Sequence, residues 1–194
     1  MRSSFRLPQL YPITDTQISR LSHAAQVALF ADRGATVVQL REKRESALQF
    51  YEAAKAALAV AVERGVQLII NDRVDITMAI GATGVHLGQD DLPPDVARRL
   101  LGDDAVIGFS THSVSQAIEA SRLPIDYLAI GPIFTTSTKE NPDPVVGLDG
   151  LRAVKAAIGD LPLVAIGGIK PVNTAEVLAA GADSVAMISG LWSE

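Results

Sequence analysis

Eight short apolar runs with the composition of β-strands recur along this chain, on average roughly 25 residues apart. Most of them are apolar over their whole length and do not alternate with polar residues. That pattern is typical of parallel strands buried on both faces. The runs cover residues 10–14, 37–40, 67–71, 84–87, 106–110, 127–130, 163–166 and 184–188. Whatever fold forms must therefore place a large parallel sheet at its centre.

The segments between these runs have helical periodicity. Residues 21–33 and 47–64 are rich in alanine, and Gly34 and Gly65 follow them as suitable C-caps. Further helices are predicted at 74–80, 95–101, 114–121, 151–158 and 174–180. Alternating strands and helices imply either a closed barrel or an open doubly wound sheet. The count of eight strands favours an α/β fold of the (β/α)8-barrel (TIM-barrel) type, with one domain over residues 1–194.

Composition and charge exclude several classes of function. Hydrophobic residues make up 48% of the chain and charged residues 20%, which is ordinary for a globular protein with a real core. The net charge of -5 argues against a general nucleic-acid binder, which needs a basic face. There is no cysteine, and no apolar run approaches the roughly 20 residues that span a bilayer. We therefore expect a cytoplasmic protein without nucleic-acid or membrane partners.

Charged side chains follow the second, third and fourth strands, where a barrel enzyme has its active site. Gln39, Arg41 and Lys43 fall on one side of an extended segment, and this pattern suits a multiply charged anion. Asp72 and Asp91 follow the next two strands, and two carboxylates on adjacent strand ends could hold Mg²⁺ together with substrate phosphates. A solvated charge cluster and two helix-capping aspartates are the alternatives. The neighbouring basic residues favour the metal.

A second group of candidate anion-binding residues follows the later strands. Four consecutive hydroxyl residues, 135–138, precede Lys139, although a polar surface loop would have the same composition. Gly167 and Gly168 follow the seventh strand, and Ser189 and Gly190 follow the eighth, at the place where barrel enzymes often bind a phosphate. Two phosphorylated substrates in one barrel mouth would indicate group transfer with diphosphate as the leaving group.

Two histidines each have a structural and a catalytic interpretation. His86 lies within an apolar strand run, and a hydrogen-bonded histidine of the barrel interior is the favoured interpretation. His112 lies just past a strand end, where it could shuttle protons or simply begin a helix. Ser110, at a strand tip, is a candidate polar contact to a ligand.

In this order and spacing, the motifs at 39–43, 71–75, 84–92, 108–113, 131–139 and 165–169 resemble those of the thiamine-phosphate synthase family. The resemblance runs from Leu10 to Ser189, nearly the whole chain. It implies a transferase of thiamine biosynthesis. Such an enzyme joins an aminopyrimidine methyl diphosphate to hydroxyethylthiazole phosphate, or to its carboxylated precursor, and yields thiamine monophosphate and pyrophosphate.

The resemblance also implies a role for each matching residue. The pyrimidine diphosphate would be bound by Gln39, Leu40, Arg41, Glu42, Lys43, Asn71, Ser110 and Lys139. Of these, Arg41, Lys43, Ser110 and Lys139 would assist the departure of diphosphate. Asp72 and Asp91 would hold Mg²⁺ as the cofactor. The thiazole phosphate would be bound by Thr136, Ser137, Thr138, Gly168, Ile188 and Ser189.

The sequence departs from the family pattern at its C-terminus, because it stops soon after the eighth strand, where the family continues into a final helix. A barrel lacking that helix would expose apolar surface, so we expect reduced stability or burial of that face in a homo-oligomer. Two other functions compete with the synthase. One is a thiazole tautomerase on the same barrel, using His112, and the other is a non-catalytic binder of phosphorylated ligands.

Overall fold

Eight parallel strands form the barrel predicted from the sequence, in a computed structural model that describes residues 5–136 and 143–192. The sheet runs in the order β1-β8-β7-β6-β5-β4-β3-β2, and a parallel bridge between Ile13 and Gln39 joins its two ends. The strands are β1 (Leu10–Pro12), β2 (Val37–Leu40), β3 (Gln67–Asn71), β4 (Gly84–Leu87), β5 (Val106–Thr111), β6 (Tyr127–Ile130), β7 (Leu163–Ile166) and β8 (Ser184–Met187). The prediction of a (β/α)8 barrel is confirmed.

Helices connect successive strands on the outside of the barrel. They are α1 (Thr16–Ser19), α2 (His23–Asp32), α3 (Ala47–Arg64), α4 (Val74–Ile80), α5 (Pro94–Leu101), α6 (Val114–Ala120), α7 (Gly147–Ile158) and α8 (Thr174–Ala179). Short 3-10 turns cover Pro171–Asn173 and Ser189–Leu191, and the latter directly follows β8. Within the described residues, no helix is long and apolar enough to cross a membrane.

The observed elements differ from the predicted ones mainly at their ends. Helix α1 was not predicted, because it is a single turn created by the Asp15 carboxylate, which accepts the backbone N–H groups of Gln17 and Ile18. Helix α7 begins at Gly147, four residues before the predicted start at Leu151. Strand β5 continues through Thr111, because that residue still pairs with Ile130 of β6.

Alternating strand residues separate an inner core from an outer one, as strand geometry requires. Residues such as Val37 and Ile69 pack inside the barrel with Tyr11 and Tyr127. Their chain neighbours, for example Val38 and Leu68, face outward and pack against α2 and α3. Both faces of the sheet are therefore buried, which explains the continuous apolar runs in the sequence.

The N-terminal end of the barrel is held by carboxylates that precede strands. Asp126 Oδ2 accepts the backbone N–H of Ile107 at 2.8 Å and pairs with Arg98 Nη2 at 2.7 Å. Asp183 repeats the arrangement before β8, where its Oδ2 accepts the N–H of Leu163 at 2.8 Å. This end contributes to stability, while the opposite end is open to ligands.

Candidate active site

A cavity of about 540 Å³ lies over the C-terminal ends of the strands. Most of the residues predicted from the sequence for the two substrates contribute to its wall. They are Gln39, Arg41, Lys43, Asn71, Asp91, Ser110, Thr136, Gly168, Ile188 and Ser189. The two predicted groups, which lie in distant parts of the sequence, thus face a single cavity large enough for small phosphorylated molecules.

Leu40, Glu42 and Asp72 are not among the residues that line this wall. Leu40 is fully buried and packs in the outer core, because its side chain alternates with that of Gln39 and points away from the barrel interior. The Glu42 side chain faces His23 of α2 and is 7% exposed. A contact of either residue with a ligand in the cavity would therefore involve its backbone. Ser137, Thr138 and Lys139 lie outside the described residues.

Asp72 holds its carboxylate beside the basic end of β2. Its backbone φ is 55°, a left-handed conformation that is uncommon for residues other than glycine but accessible to Asp and Asn. Its N–H bonds the carbonyl of His86 at 2.8 Å, which stabilises this backbone. Asp72 Oδ2 accepts Asn71 Nδ2 at 2.9 Å and forms an ion pair with Lys43. Backbone strain of this kind is typical of functional positions.

Asp91 closes the turn that follows β4. Its Oδ2 accepts the backbone N–H of Gly88 at 2.6 Å, so the carboxylate is fixed on the cavity wall. Nearby, Gln89 Nε2 donates to the carbonyl of Ser110 at 2.6 Å and ties the turn to the end of β5. This turn holds an acidic group in the same cavity as Arg41 and Lys43.

A chain of hydrogen bonds crosses the barrel interior beneath the cavity. Gln39 Nε2 donates to the Tyr11 hydroxyl at 3.3 Å, and the hydroxyls of Tyr11 and Tyr127 lie 3.1 Å apart. Tyr127 then contacts His86 Nδ1 at 3.0 Å, and His86 Nε2 contacts Ser110 Oγ at 2.8 Å. The chain links Gln39 and Ser110, two residues predicted to bind the same substrate, through three buried side chains.

Burial fixes the protonation states along this chain. It raises the pKa of Tyr11 to about 12 and that of Tyr127 well above its ordinary value, so both phenols keep their protons. It lowers the pKa of His86 to about 4, so the imidazole is neutral at physiological pH. The interpretation of His86 as a hydrogen-bonded histidine of the barrel agrees with these contacts, and its ring can hold Ser110 Oγ in place.

Gly108 makes this chain sterically feasible. A Cβ atom at Gly108 would lie 2.1 Å from Tyr127 Cζ and 2.5 Å from His86 Nδ1. Only glycine leaves room for the tyrosine ring to reach across β5 to the histidine. The Tyr127 and His86 rings stack at 5.5 Å between centroids in the space that results.

The loops after β6 and β7 form the opposite side of the cavity. Gly167 and Gly168 have φ of 97° and 67°, and a Cβ at Gly168 would lie 2.6 Å from the carbonyl oxygen of Thr135. The N–H of Phe134 bonds the Gly167 carbonyl at 3.0 Å. Close packing of the two loops explains why glycines are needed here, and it brings Thr136 and Gly168 onto one wall.

His112 also lines this cavity. Its Nδ1 lies 2.7 Å from the carbonyl oxygen of Gly131 and 3.5 Å from Asp143 Oδ2. Because a carbonyl oxygen can only accept, Nδ1 must carry the proton, and in the neutral ring Nε2 is the basic nitrogen. His112 therefore lies in the site itself and does more than precede α6.

Several polar residues of the site were missed by the sequence analysis. Tyr11 and Tyr127 interrupt otherwise apolar strand runs at inward positions, a signal that could have identified them. Thr14 and His23 form a second buried cluster with Glu42 behind the basic loop. Nothing in their local sequence indicates that they meet.

Comparisons with known proteins agree on one family. The model of the family described as thiamine monophosphate synthase (TMP-TENI) matches residues 10–191. The thiamine-phosphate synthase of Chloroflexus aurantiacus is 47% identical over 184 residues, which cover 94% of this chain and 84% of that protein. The thiamine-phosphate synthase of Koribacter versatilis is 46% identical over 198 residues, which cover 98% and 92%.

A solved structure gives the same result. The thiamine phosphate pyrophosphorylase of Pyrococcus furiosus superposes with a TM-score of 0.81 at 36% identity, over 93% of this chain and 85% of that one. The corresponding protein of Bacteroides thetaiotaomicron, at 19% identity and a TM-score of 0.65, supports the barrel fold.

Proposed function

We propose that this chain, which belongs to the thiamine monophosphate synthase family, is a transferase that forms thiamine monophosphate. Its substrates would be 4-amino-2-methyl-5-(diphosphooxymethyl)pyrimidine and hydroxyethylthiazole phosphate, or the carboxylated thiazole precursor, and pyrophosphate would be released. The observation that carries the proposal is the single cavity shared by the residues after β2 to β5 and those after β6 to β8. Two phosphorylated molecules can meet there.

The reaction needs positioning and charge stabilisation more than a protein nucleophile. The exocyclic carbon–oxygen bond of the pyrimidine breaks as diphosphate leaves, and the aminopyrimidine ring delocalises the positive charge. The thiazole nitrogen then attacks this carbon. Arg41 and Lys43 would stabilise the negative charge that builds up on the departing diphosphate, with Lys139 as a third predicted cation.

Ser110 and Gln39 would hold the pyrimidine diphosphate in its reactive orientation. Both line the cavity and are fixed by the buried hydrogen-bond chain through His86 and the two tyrosines. A hydroxyl already fixed by its partner loses little freedom when it binds an oxyanion. Asn71 Nδ2, at present bonded to Asp72, is a further donor beside them.

Magnesium is part of the proposal, and Asp72 and Asp91 are the residues that would hold it. Within the described residues, no cluster of three or more His, Cys, Asp or Glu side chains could hold a metal alone. Two carboxylates still suit Mg²⁺, because this ion usually takes one or two carboxylates and completes its coordination with substrate phosphates and water. When bound, the ion would supply positive charge to the leaving diphosphate.

The thiazole phosphate would occupy the side of the cavity formed by the loops after β6, β7 and β8. Thr136, Gly168, Ile188 and Ser189 lie there. Backbone N–H groups beside glycines can approach phosphate oxygens closely, which suits Gly168. Ser137 and Thr138 remain predicted contacts. We also propose a cytoplasmic enzyme without nucleic-acid or membrane partners, and self-association stays a prediction.

A product assay tests the function. With both substrates and Mg²⁺, we expect thiamine monophosphate and pyrophosphate in equal amounts, and neither product when one substrate is omitted. Folded protein that forms no thiamine monophosphate would contradict the proposal. Conversion of the thiazole phosphate alone, lost in a His112→Gln variant, would identify a tautomerase. Binding of both substrates without any conversion would identify a ligand-binding protein.

A further inference from the structure

The loop that follows β2 is supported from behind by three buried polar side chains. They are Thr14 from the segment just after β1, Glu42 from the loop itself, and His23 from the first turn of α2, and we name this group the loop clamp. Thr14 is fully buried, and the His23 and Glu42 side chains are 1% and 7% exposed. The clamp contacts the loop on the side away from the cavity that Arg41 and Lys43 line.

Glu42 turns its carboxylate back onto its own loop. Its Oε1 accepts the backbone N–H groups of Lys43 at 2.8 Å, Arg44 at 2.7 Å and Glu45 at 3.3 Å. Burial disfavours ionisation of Glu42, but these three bonds outweigh it, and the pKa of the carboxyl lies below its ordinary value. Glu42 is therefore a charged carboxylate that fixes the loop backbone at three successive residues.

Thr14 and His23 connect the start of the same loop to this carboxylate. The backbone N–H of Arg41 donates to Thr14 Oγ1 at 3.3 Å, and Thr14 Oγ1 lies 2.7 Å from His23 Nδ1. His23 Nε2 is buried without a hydrogen bond among the described residues, and it faces Glu42 Oε2 at 3.5 Å. The clamp thus contacts the loop backbone on both sides of Glu42.

The chemistry of Thr14, His23 and Glu42 fixes which atom donates in each contact between them. Burial lowers the pKa of His23 despite the nearby Glu42, so the ring is neutral and carries one proton. With that proton on Nδ1, a lone pair of Nε2 would face a carboxylate, which is unfavourable. The proton therefore lies on Nε2, towards Glu42, and the Thr14 hydroxyl donates to Nδ1 while it accepts from the Arg41 N–H.

This arrangement explains how an acidic residue can lie between two cations that bind an anion. The Glu42 charge is satisfied by backbone N–H groups and faces the neutral His23 N–H, away from the cavity wall. Those N–H groups are then unavailable to a ligand, so the loop offers its anion the side chains of Arg41 and Lys43. Fixing their backbone lowers the cost of ordering the loop when the anion binds.

We infer that Thr14, His23 and Glu42 are positioning residues that hold Arg41 and Lys43 for the diphosphate, with Glu42 acting through the loop backbone and making no side-chain contact with substrate. The inference rests on the proposed function, since it assumes that Arg41 and Lys43 bind the pyrimidine diphosphate. It assigns to the segment after β1 and to α2 a part in substrate binding by the loop after β2.

Two pairs of variants test it. Glu42→Gln keeps an acceptor but removes the charge, and Glu45→Gln is the matched control, because Glu45 is the exposed acid of the same loop. Thr14→Val removes the hydroxyl at nearly constant volume, and Thr14→Ser restores it. We expect Glu42→Gln and Thr14→Val to weaken binding of inorganic pyrophosphate with Mg²⁺, and to raise KM for the pyrimidine diphosphate, by about tenfold, as is typical when an orienting partner is lost.

The same variants should leave KM for the thiazole phosphate within about twofold of wild type, a split that general loss of structure would not produce. Glu45→Gln and Thr14→Ser should bind pyrophosphate as wild type does. Calorimetric titration measures this binding without turnover. Wild-type protein that neither binds pyrophosphate nor forms product would overturn the proposed function and the inference together. Wild-type binding by both Glu42→Gln and Thr14→Val would overturn the inference alone.

Discussion

The Tyr127 hydroxyl should stabilise the barrel measurably, although it makes no contact with solvent. Tyr127→Phe removes this hydroxyl, which bonds Tyr11 at 3.1 Å and His86 Nδ1 at 3.0 Å, and leaves the ring packing unchanged. Each neutral hydrogen bond contributes about 1 kcal/mol, and an unsatisfied buried nitrogen of His86 adds roughly 1 kcal/mol more. We expect the free energy of unfolding to fall by about 2–3 kcal/mol.

Urea denaturation and thermal melting of wild type and variant measure this loss. For a chain of this size, the expected change corresponds to a melting temperature lower by about 5–10 °C. Tyr51→Phe is the matched control, because Tyr51 lies half-buried on the outer surface of α3, and its free energy of unfolding should stay within about 0.5 kcal/mol of wild type. A Tyr127→Phe variant that melts within about 1 °C of wild type would refute the stabilising role assigned to the hydrogen-bond chain.

Three further predictions concern stability and its separation from binding. The buried His86 has a pKa of about 4, while an unfolded histidine titrates near 6.5, so the free energy of unfolding should fall as pH drops through this window, by about 2 kcal/mol at pH 5. If the His86→Gln variant loses as much stability between pH 7 and pH 5 as wild type does, this prediction is contradicted. Gly168→Ala should destabilise the protein by about 2 kcal/mol or more and weaken thiazole phosphate binding. Gly65 has the same φ of 67° but no neighbouring atom within 4 Å, so Gly65→Ala should cost only about 1 kcal/mol. Equal losses of the two variants in denaturation would refute the steric argument. Asp126→Ala should lower the free energy of unfolding by about 2–3 kcal/mol, because it leaves the Ile107 N–H unpaired, while KM for both substrates stays unchanged. An altered KM would contradict this separation and show that the two ends of the barrel are coupled.

The fold was predictable because a barrel strand buried on both faces has a local sequence signature. Runs such as 37–40 and 127–130 coincide with observed strands, and glycines such as Gly65 mark the observed end of α3. Helix α1 has no such signature, since one carboxylate of Asp15 creates it. Local hydrogen bonds of this kind depend on side-chain geometry that periodicity does not reveal.

The candidate site was predictable only as far as strand alternation and strand ends define it. These rules brought Gln39, Arg41 and Asp91 to one cavity, as observed. They could not predict that the Glu42 side chain turns away from the cavity, because this depends on His23, which comes from α2. The hydrogen bond between Tyr11 and Tyr127 joins residues 116 positions apart, so no local sequence pattern predicts it.

The most direct test of the proposed mechanism compares two aspartates that follow β3, Asp72 in the loop and Asp75 in the first turn of α4, under a titration of Mg²⁺. Asp72 is the proposed metal ligand, while Asp75, three residues later, is exposed and pairs with Arg73. Thiamine monophosphate formation should require Mg²⁺ and stop with a chelator. Asp72→Asn should lower kcat/KM by about 100-fold, and Asp75→Asn by less than about threefold. Full activity in chelator, or an Asp72→Asn variant as active as Asp75→Asn, would contradict a magnesium diphosphate at this end of the barrel.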